Sequence, residues 1–325
     1  MYESFYNLKR GPFEITPDPS FLFSTKRHNE ALAALYYGVR WRKGFVVLTG
    51  QVGTGKTLLL RCLLQLLKQS KDVAYAYVFS SRLTPTEFLQ YILNDFGLPT
   101  VGKNKGELLF DLCNFVVNRG LRGLTTVLIV DEAHHLSAEA LEEVRLLTNL
   151  ETAEHKLLQI VLVGQPELDD TLDSAKLTQL KQRIAIRSHL EPLDHEDTRG
   201  YIASRLRLVA TNPQAENLFP SKTIAAVYRH SRGIPRLINT ICENALLSCY
   251  AKQMSSVTPE IIDEVARDFR LNVVRPSEAE KVDGLNDNDL QRAARMLLDL
   301  YGSAQKHTDR ALEMPSPVVT RVRQV

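Results

Sequence analysis

Phe45-Val46-Val47-Leu48-Thr49-Gly50-Gln51-Val52-Gly53-Thr54-Gly55-Lys56-Thr57 passes from a continuous apolar run into a glycine-rich octet, then into a helical pattern from Leu58 to Lys68. Gly50 to Thr57 has the spacing glycine, four residues, Gly-Lys-Thr, with the strand before it and the helix after it that the motif requires. Such a loop suits phosphate. Glycines let backbone N–H groups turn toward phosphate oxygens, and the helix N-terminus adds a favourable dipole. A lysine such as Lys56 neutralises β and γ charge, while the Thr57 hydroxyl can ligate magnesium. The competing reading, a glycine-rich turn with an incidental lysine, fits the flanking elements less well. The expected binding residues are therefore Gly50, Gln51, Val52, Gly53, Thr54, Gly55, Lys56, Thr57 and Leu58, for ATP and Mg2+.

Further along, Val73 to Phe79, Thr126 to Val130 and Gln159 to Val163 are apolar runs that suit parallel strands buried on both faces, and Ala185 to Leu190 reads as a fifth strand. Helical patterns lie between them. Thr84-Pro85-Thr86-Glu87 reads as a capping box with proline at the first helical position, and Ser137 as the cap of the helix after the third strand. The alternation implies a doubly wound α/β fold with five mostly parallel strands and a ligand site beyond their carboxyl ends.

The third strand ends in Val130-Asp131-Glu132. There Asp131 is expected to hold the magnesium shell and Glu132 to polarise the attacking water, which points to hydrolysis rather than binding alone. An acidic pair at a helix N-terminus is the plainer alternative. Asp131-Glu132-Ala133-His134 also spells the motif of one helicase class, but that architecture needs two tandem domains and the chain has room for one. His134 and His135 are expected as surface or lid contacts, since no metal-spaced partners accompany them.

With 325 residues, 44% of them hydrophobic, the chain can form one large or two smaller cores, and a net charge of +2 gives no global field for a polyanion. Cys62, Cys113, Cys242 and Cys249 form no paired motif, which fits reduced packing thiols, and Cys242 and Cys249 are spaced to share a buried face. The opening Met1-Tyr2-Glu3-Ser4 lacks the basic and apolar regions of a signal peptide, and no apolar stretch is long enough to span a bilayer.

Gly11 to Phe23 alternates prolines with aromatics and is expected to run extended over apolar surface, before a first helix from Glu30 to Tyr37. After Pro192 only helices are expected, at 194–209, 221–230, 235–252 and 258–269. Beyond Arg270 the sequence turns polar, with one short amphipathic helix around Leu290 to Tyr301.

Three later elements complete a family pattern. Gln165, in Gly164-Gln165-Pro166-Glu167-Leu168, resembles sensor 1 of AAA+ ATPases, which reaches γ-phosphate and the attacking water. Gly233-Ile234-Pro235-Arg236 resembles the sensor 2 motif, with Arg236 over the phosphates. Gln182-Arg183-Ile184 resembles the arginine-finger region, with Arg187 as competing candidate. The opening Tyr2-Glu3-Ser4-Phe5-Tyr6, with Pro12-Phe13, Thr16-Pro17-Asp18-Pro19, Phe23 and His28-Asn29-Glu30-Ala31-Leu32, is similar to the ExeA-type AAA+ ATPases, the general secretion pathway protein A group.

The resemblance covers about residues 1–270 and implies a layout. Residues 1–40 would form an N-terminal segment near the nucleotide, with Phe21 to Phe23 beside the base; 41–193 the P-loop AAA+ domain; 194–270 a small all-helical lid; 271–325 a polar tail. Leu58 stands where many members have a second threonine. The resemblance also implies catalytic roles for Lys56, Glu132, Gln165, Arg183 and Arg236, and a homo-oligomer, because a finger acts on the neighbouring subunit's nucleotide. Members in type II secretion continue through a transmembrane helix into a periplasmic domain. Neither segment is read in these 325 residues, so the expectation is a cytoplasmic ATPase that meets a membrane-bound secretion or export partner at the inner membrane, with the tail from Leu271 as its docking surface. The alternative is an ATP-dependent DNA-binding regulator of transposition. It would use basic clusters at Lys176, Lys181, Arg183 and Arg187, or at Arg40, Arg42 and Lys43 around Trp41, but no helix-turn-helix supports it.

Overall fold

Two helix starts, at Pro85 and Lys105, are fixed by reciprocal caps. Thr84 Oγ1 accepts from the Glu87 N–H at 3.3 Å while Glu87 Oε2 accepts from the Thr84 N–H at 2.8 Å, and Asn104 and Glu107 repeat the arrangement at 3.1 and 2.8 Å. Each box satisfies two N–H groups that a helix otherwise leaves orphaned. Ser137 caps as expected, accepting from the Ala140 N–H at 3.2 Å.

The computed structural model describes residues 1–79, 83–212 and 217–271. Its strands are β1 (Phe45–Gly50), β2 (Val73–Phe79), β3 (Thr125–Asp131), β4 (Leu158–Gly164) and β5 (Ile186–Leu190). Between Met1 and the end of β5 lie helices α1 (Tyr2–Phe5), α2 (Lys26–Arg40), α3 (Lys56–Lys68), α4 (Pro85–Asp95), α5 (Lys105–Leu121), α6 (Ala138–Leu147), α7 (Glu167–Leu172) and α8 (Thr178–Lys181). The strands form one sheet in the order β2-β3-β4-β1-β5, with every pairing parallel. The sheet is thus wholly parallel among the described residues, where the sequence led us to expect a mostly parallel one.

Burial on both faces explains why the inner strands β3, β4 and β1 read as nearly unbroken apolar runs, whereas the edge strands β2 and β5 are only partly buried. Val46 and Leu48 pack with Leu35 of α2 and with Leu59 and Leu63 of α3. Phe45 and Val47 share the core that contains Phe88, Leu112 and Val144 of α4, α5 and α6. Because β3, β4 and β1 are neighbours, their carboxyl ends bring the Gly50 loop, Asp131 and Gln165 to one rim.

The remaining helices are α9 (His195–Val209), α10 (Ser221–Ser231), α11 (Pro235–Ala251) and α12 (Pro259–Asp268). They enclose a third core that also takes in Tyr2, Tyr6, Leu8, Phe13 and Phe21 from the start of the chain. Cys242 and Cys249 share this core, as their spacing suggested, and all four cysteines are free thiols. The N-terminal stretch is less extended than expected. Within Gly11 to Phe23, Pro19–Phe21 coils where Asp18 Oδ1 accepts from the Ser20 N–H at 2.9 Å; ahead of that stretch, Tyr2–Phe5 is a helical turn. The first helix of the sheet region runs over Lys26–Arg40, longer than Glu30 to Tyr37, because Thr25 caps it by accepting from the His28 N–H. The amphipathic helix expected around Leu290 to Tyr301 lies outside the described residues. Among the described residues no helix is long and apolar enough to cross a membrane.

Candidate active site

The loop after β1 takes a path that only glycine permits at two points. Gly53 has φ +82° and Gly55 φ +106°, in the left-handed region. A Cβ on Gly53 would also come within 2.7 Å of the Arg236 Cβ. Gly55 then serves as N-cap of α3 without any side-chain cap, so the first-turn N–H groups face the loop. The Thr54 hydroxyl donates to Gln51 O at 2.8 Å and staples the turn. Lys56 is buried, and its Nζ donates to Gly50 O at 2.6 Å and Gln51 O at 2.9 Å. Burial pushes its pKa down, against the attraction of Glu132, Asp131 and Glu167. Gln51 and Val52 are exposed, whereas Leu58 is half-buried behind the loop.

Asp131 is fully buried at the end of β3 and accepts three hydrogen bonds. Its Oδ2 takes one from Thr57 Oγ1 at 3.2 Å and one from the Tyr77 hydroxyl at 2.8 Å, and its Oδ1 one from the Glu132 N–H at 2.9 Å. Glu132 is held at φ +52°, a conformation that costs a non-glycine residue energy. Its Oε2 is buried with no hydrogen-bond partner, and the nearest cation-capable group is His134 Nδ1 at 3.4 Å. A strained backbone that aims an unsatisfied carboxylate into a polar site is poised for a donor.

Gln165 stands where the sequence placed it, after β4, and its side-chain amide nitrogen lies 2.8 Å from His134 Nε2. His134 therefore differs from the expected surface or lid contact: its side chain is almost buried between Glu132 and Gln165, because the short turn Ala133–His135 folds it back over the sheet end. His135, exposed, lies against it with the rings tilted by 41° and their centroids 4.0 Å apart.

Arg236 begins α11, and its N–H donates to Gly53 O at 3.2 Å, so this helix sits directly on the loop. Gly233, at φ +75°, makes the turn possible, since a Cβ there would collide with Leu193 O. Arg183 is held away from these residues by one hydrogen bond, Nη1 to Thr148 Oγ1 at 3.1 Å. Arg187 lies in β5 and pairs with Asp173 at 3.2 Å and Asp169 at 3.5 Å.

Phe21 does not join the loop. It packs in the helical core, covered by the Arg10 and Arg205 guanidinium groups at 4.3 and 4.7 Å from its ring centre. Leu22 and Phe23 do reach the site, lining a cavity of about 30 Å³ together with His28, Gly55, Leu58 and Tyr201. Two residues had no site role in the sequence reading. His28 is buried with Nε2 at 3.3 Å from Thr54 O, and since a carbonyl only accepts, that nitrogen carries the proton while Nδ1 accepts from Thr25 Oγ1 at 2.7 Å. Burial lowers its pKa, in keeping with a neutral ring. Tyr77 carries no motif; only its register beside β3 betrays it.

The AAA domain family model matches residues 39–172. General secretion pathway protein A of Aeromonas hydrophila is 46% identical over 78% of this chain and 45% of its own length. Over this span the chain is similar to the ExeA-type AAA+ ATPases. The match reaches well beyond the AAA domain, although the chain spans less than half the length of that ExeA-type relative. The Mu-like prophage FluMu DNA transposition protein B of Haemophilus influenzae is more distant, 28% identical over 46% of this chain and 50% of its own. Among solved structures, the Aeropyrum pernix ORC2 protein in its ADPNP-ADP complexes shares the fold, with a TM-score of 0.57, 18% identity and coverage of 80% of this chain and 72% of that one. An ExeA-type AAA+ fold implies that the chain binds a nucleotide.

Proposed function

We propose that this chain hydrolyses ATP with magnesium at the loop after β1, and that hydrolysis drives or switches an envelope secretion or export machinery through a membrane-bound partner. One observation carries the reading: Thr57 and Asp131 meet at 3.2 Å beside a Glu132 carboxylate whose buried Oε2 lacks a hydrogen-bond partner. A hydroxyl and a carboxylate are the oxygen donors a hard divalent cation takes, so Thr57 and Asp131 fit magnesium. When bound, the ion neutralises charge on the phosphate oxygens.

The chain's own groups do the rest. Lys56 exchanges the Gly50 and Gln51 carbonyls for phosphate oxygens, and the uncapped N–H groups of α3 bind the same anion. Glu132 orients the attacking water and accepts its proton, while the Gln165 amide faces the same water. Arg236, tied to Gly53, brings a cation from α11 to the phosphates.

Arg183 is the finger in this reading and acts on a neighbouring copy's nucleotide, which makes the working form a homo-oligomer. Its one hydrogen bond among the described residues goes to a neutral hydroxyl, with Glu151 near enough to feel its charge, whereas Arg187 is already ion-paired with two aspartates. The 46% identity to the Aeromonas protein supports the secretion side, and a cytoplasmic place at the inner membrane is part of the same proposal. A transposition role has weaker support, the 28% match to the FluMu protein.

Phosphate release from Mg-ATP is the test. Wild type should exceed Lys56→Ala clearly, and equal rates would refute hydrolysis at this loop. ATP-dependent co-sedimentation with duplex DNA would favour the transposition reading over the secretion one.

A further inference from the structure

We infer that His134 is a positioning residue that links the Glu132 carboxylate to the Gln165 amide, so that the base and the water-facing amide are set as one unit. The inference rests on the hydrolytic reading above and deepens it.

Glu132 ends in the left-handed region, and the turn Ala133–His135 that follows carries the His134 imidazole back toward the end of β4. Approach is close there: a Cβ on Gly164 would lie 3.2 Å from His134 N and 2.9 Å from Leu168 Cδ2. The ring cannot drift, because one face meets His135 at 4.0 Å and its side chain is only 9% exposed.

The two ring nitrogens then face different partners. Nδ1 faces Glu132 Oε2 at 3.4 Å without the geometry of a hydrogen bond, and the proton is placed on it because Nε2 faces an amide nitrogen that can only donate. Nε2 is left as an acceptor for the Gln165 side-chain N–H at 2.8 Å. The Gln165 backbone N–H also points at Nδ1, at 3.4 Å, and this long contact yields when Nδ1 donates. Burial and the neighbouring His135 keep the ring neutral, Lys56 acting in the same direction and Glu132 and Glu167 opposing. The imidazole is thus hydrogen-bonded to the amide and adjacent to a carboxylate oxygen that has no hydrogen-bond partner, a gap of the kind that closes when a substrate docks. Whatever turns the Gln165 amide also turns the base. Nothing in the sequence spacing announces this, and no bond is made or broken by His134 itself.

Variants at three positions test it in the full chain, read by phosphate release and by binding of a fluorescent ATP analogue. His134→Ala should lower kcat roughly tenfold to a hundredfold, the scale of an ångström-level misplacement, with KM and analogue affinity nearly unchanged. His134→Asn keeps a donor toward Glu132 and should recover part of the rate. In a Gln165→Ala background, loss of His134 should cost far less than in wild type, since the link is already cut. The inference is overturned if His134→Ala turns over like wild type, if the two losses simply multiply, or if His134→Asn is as slow as His134→Ala while both lose thermal stability. Absence of turnover in the wild type itself would instead sink the hydrolytic reading.

Discussion

The Arg236 N–H donates to Gly53 O at 3.2 Å, and the Arg236 Cβ occupies the space a Gly53 side chain would need. The phosphate loop and the helix that carries Arg236 are therefore in direct backbone contact. Any change at Gly53 is felt by both.

Gly53→Ala should accordingly destabilise the protein by about 1–2 kcal/mol from its left-handed backbone alone, and more from the clash. It should also weaken ATP binding, because the loop must shift away from α11. Chemical denaturation with parallel nucleotide titration checks both; a variant of wild-type stability would mean that the loop tolerates the added carbon.

Tyr77→Phe removes one of the three donors to a buried carboxylate. Hydrogen bonds to charged groups contribute about 1.5–3 kcal/mol, so stability should fall by that amount. An unchanged denaturation midpoint would show that Asp131 does not depend on the tyrosine.

A pH effect arises in the helical core, where the Tyr2 hydroxyl donates to Glu243 Oε1 at 2.6 Å. Burial raises the Glu243 pKa, with Glu3 and Glu14 adding to it and the Tyr2 bond opposing. A raised carboxyl favours the protonated folded state, so its contribution is most favourable below the ordinary glutamate pKa, about 4.3, and is lost as pH rises through the folded value. Glu243→Gln, which mimics the neutral acid, should thus gain stability over wild type as pH rises from that range to neutrality. A pH-independent difference in melting temperature would contradict this.

Arg183→Ala alone should hydrolyse slowly, by roughly 10³ to 10⁵ if it supplies a full finger effect. Mixing it with an equally inactive Lys56→Ala protein should restore activity, because some interfaces then pair an intact loop with an intact arginine. No recovery at any ratio would remove Arg183 from an intersubunit role.

Much of this site could be read from the sequence because its parts follow buried parallel strands. Phe45 to Leu48 and Val127 to Val130 announce their burial, so the loop at Gly50 and the pair at Asp131 and Glu132 fall at strand ends by construction. Gln165 and Arg236 were found through family motifs, and both reach the rim. Contacts made across the fold were hidden. Tyr77 reaches Asp131 only through the β2–β3 register, and His134 turns inward because Glu132 adopts a positive φ that composition does not reveal. The family resemblance put Phe21 to Phe23 near the base; Phe21 packs in the helical core under two arginines, while Leu22 and Phe23 line the cavity beside Gly55.

Glu132→Gln offers the most direct test of hydrolysis at this site, measured as phosphate release beside fluorescent-nucleotide binding at protein concentrations high enough for assembly. We expect the variant to bind with wild-type affinity and to release phosphate roughly 10² to 10⁴ times more slowly. Undiminished release by Glu132→Gln would contradict the assignment of the base and the chemistry built on it.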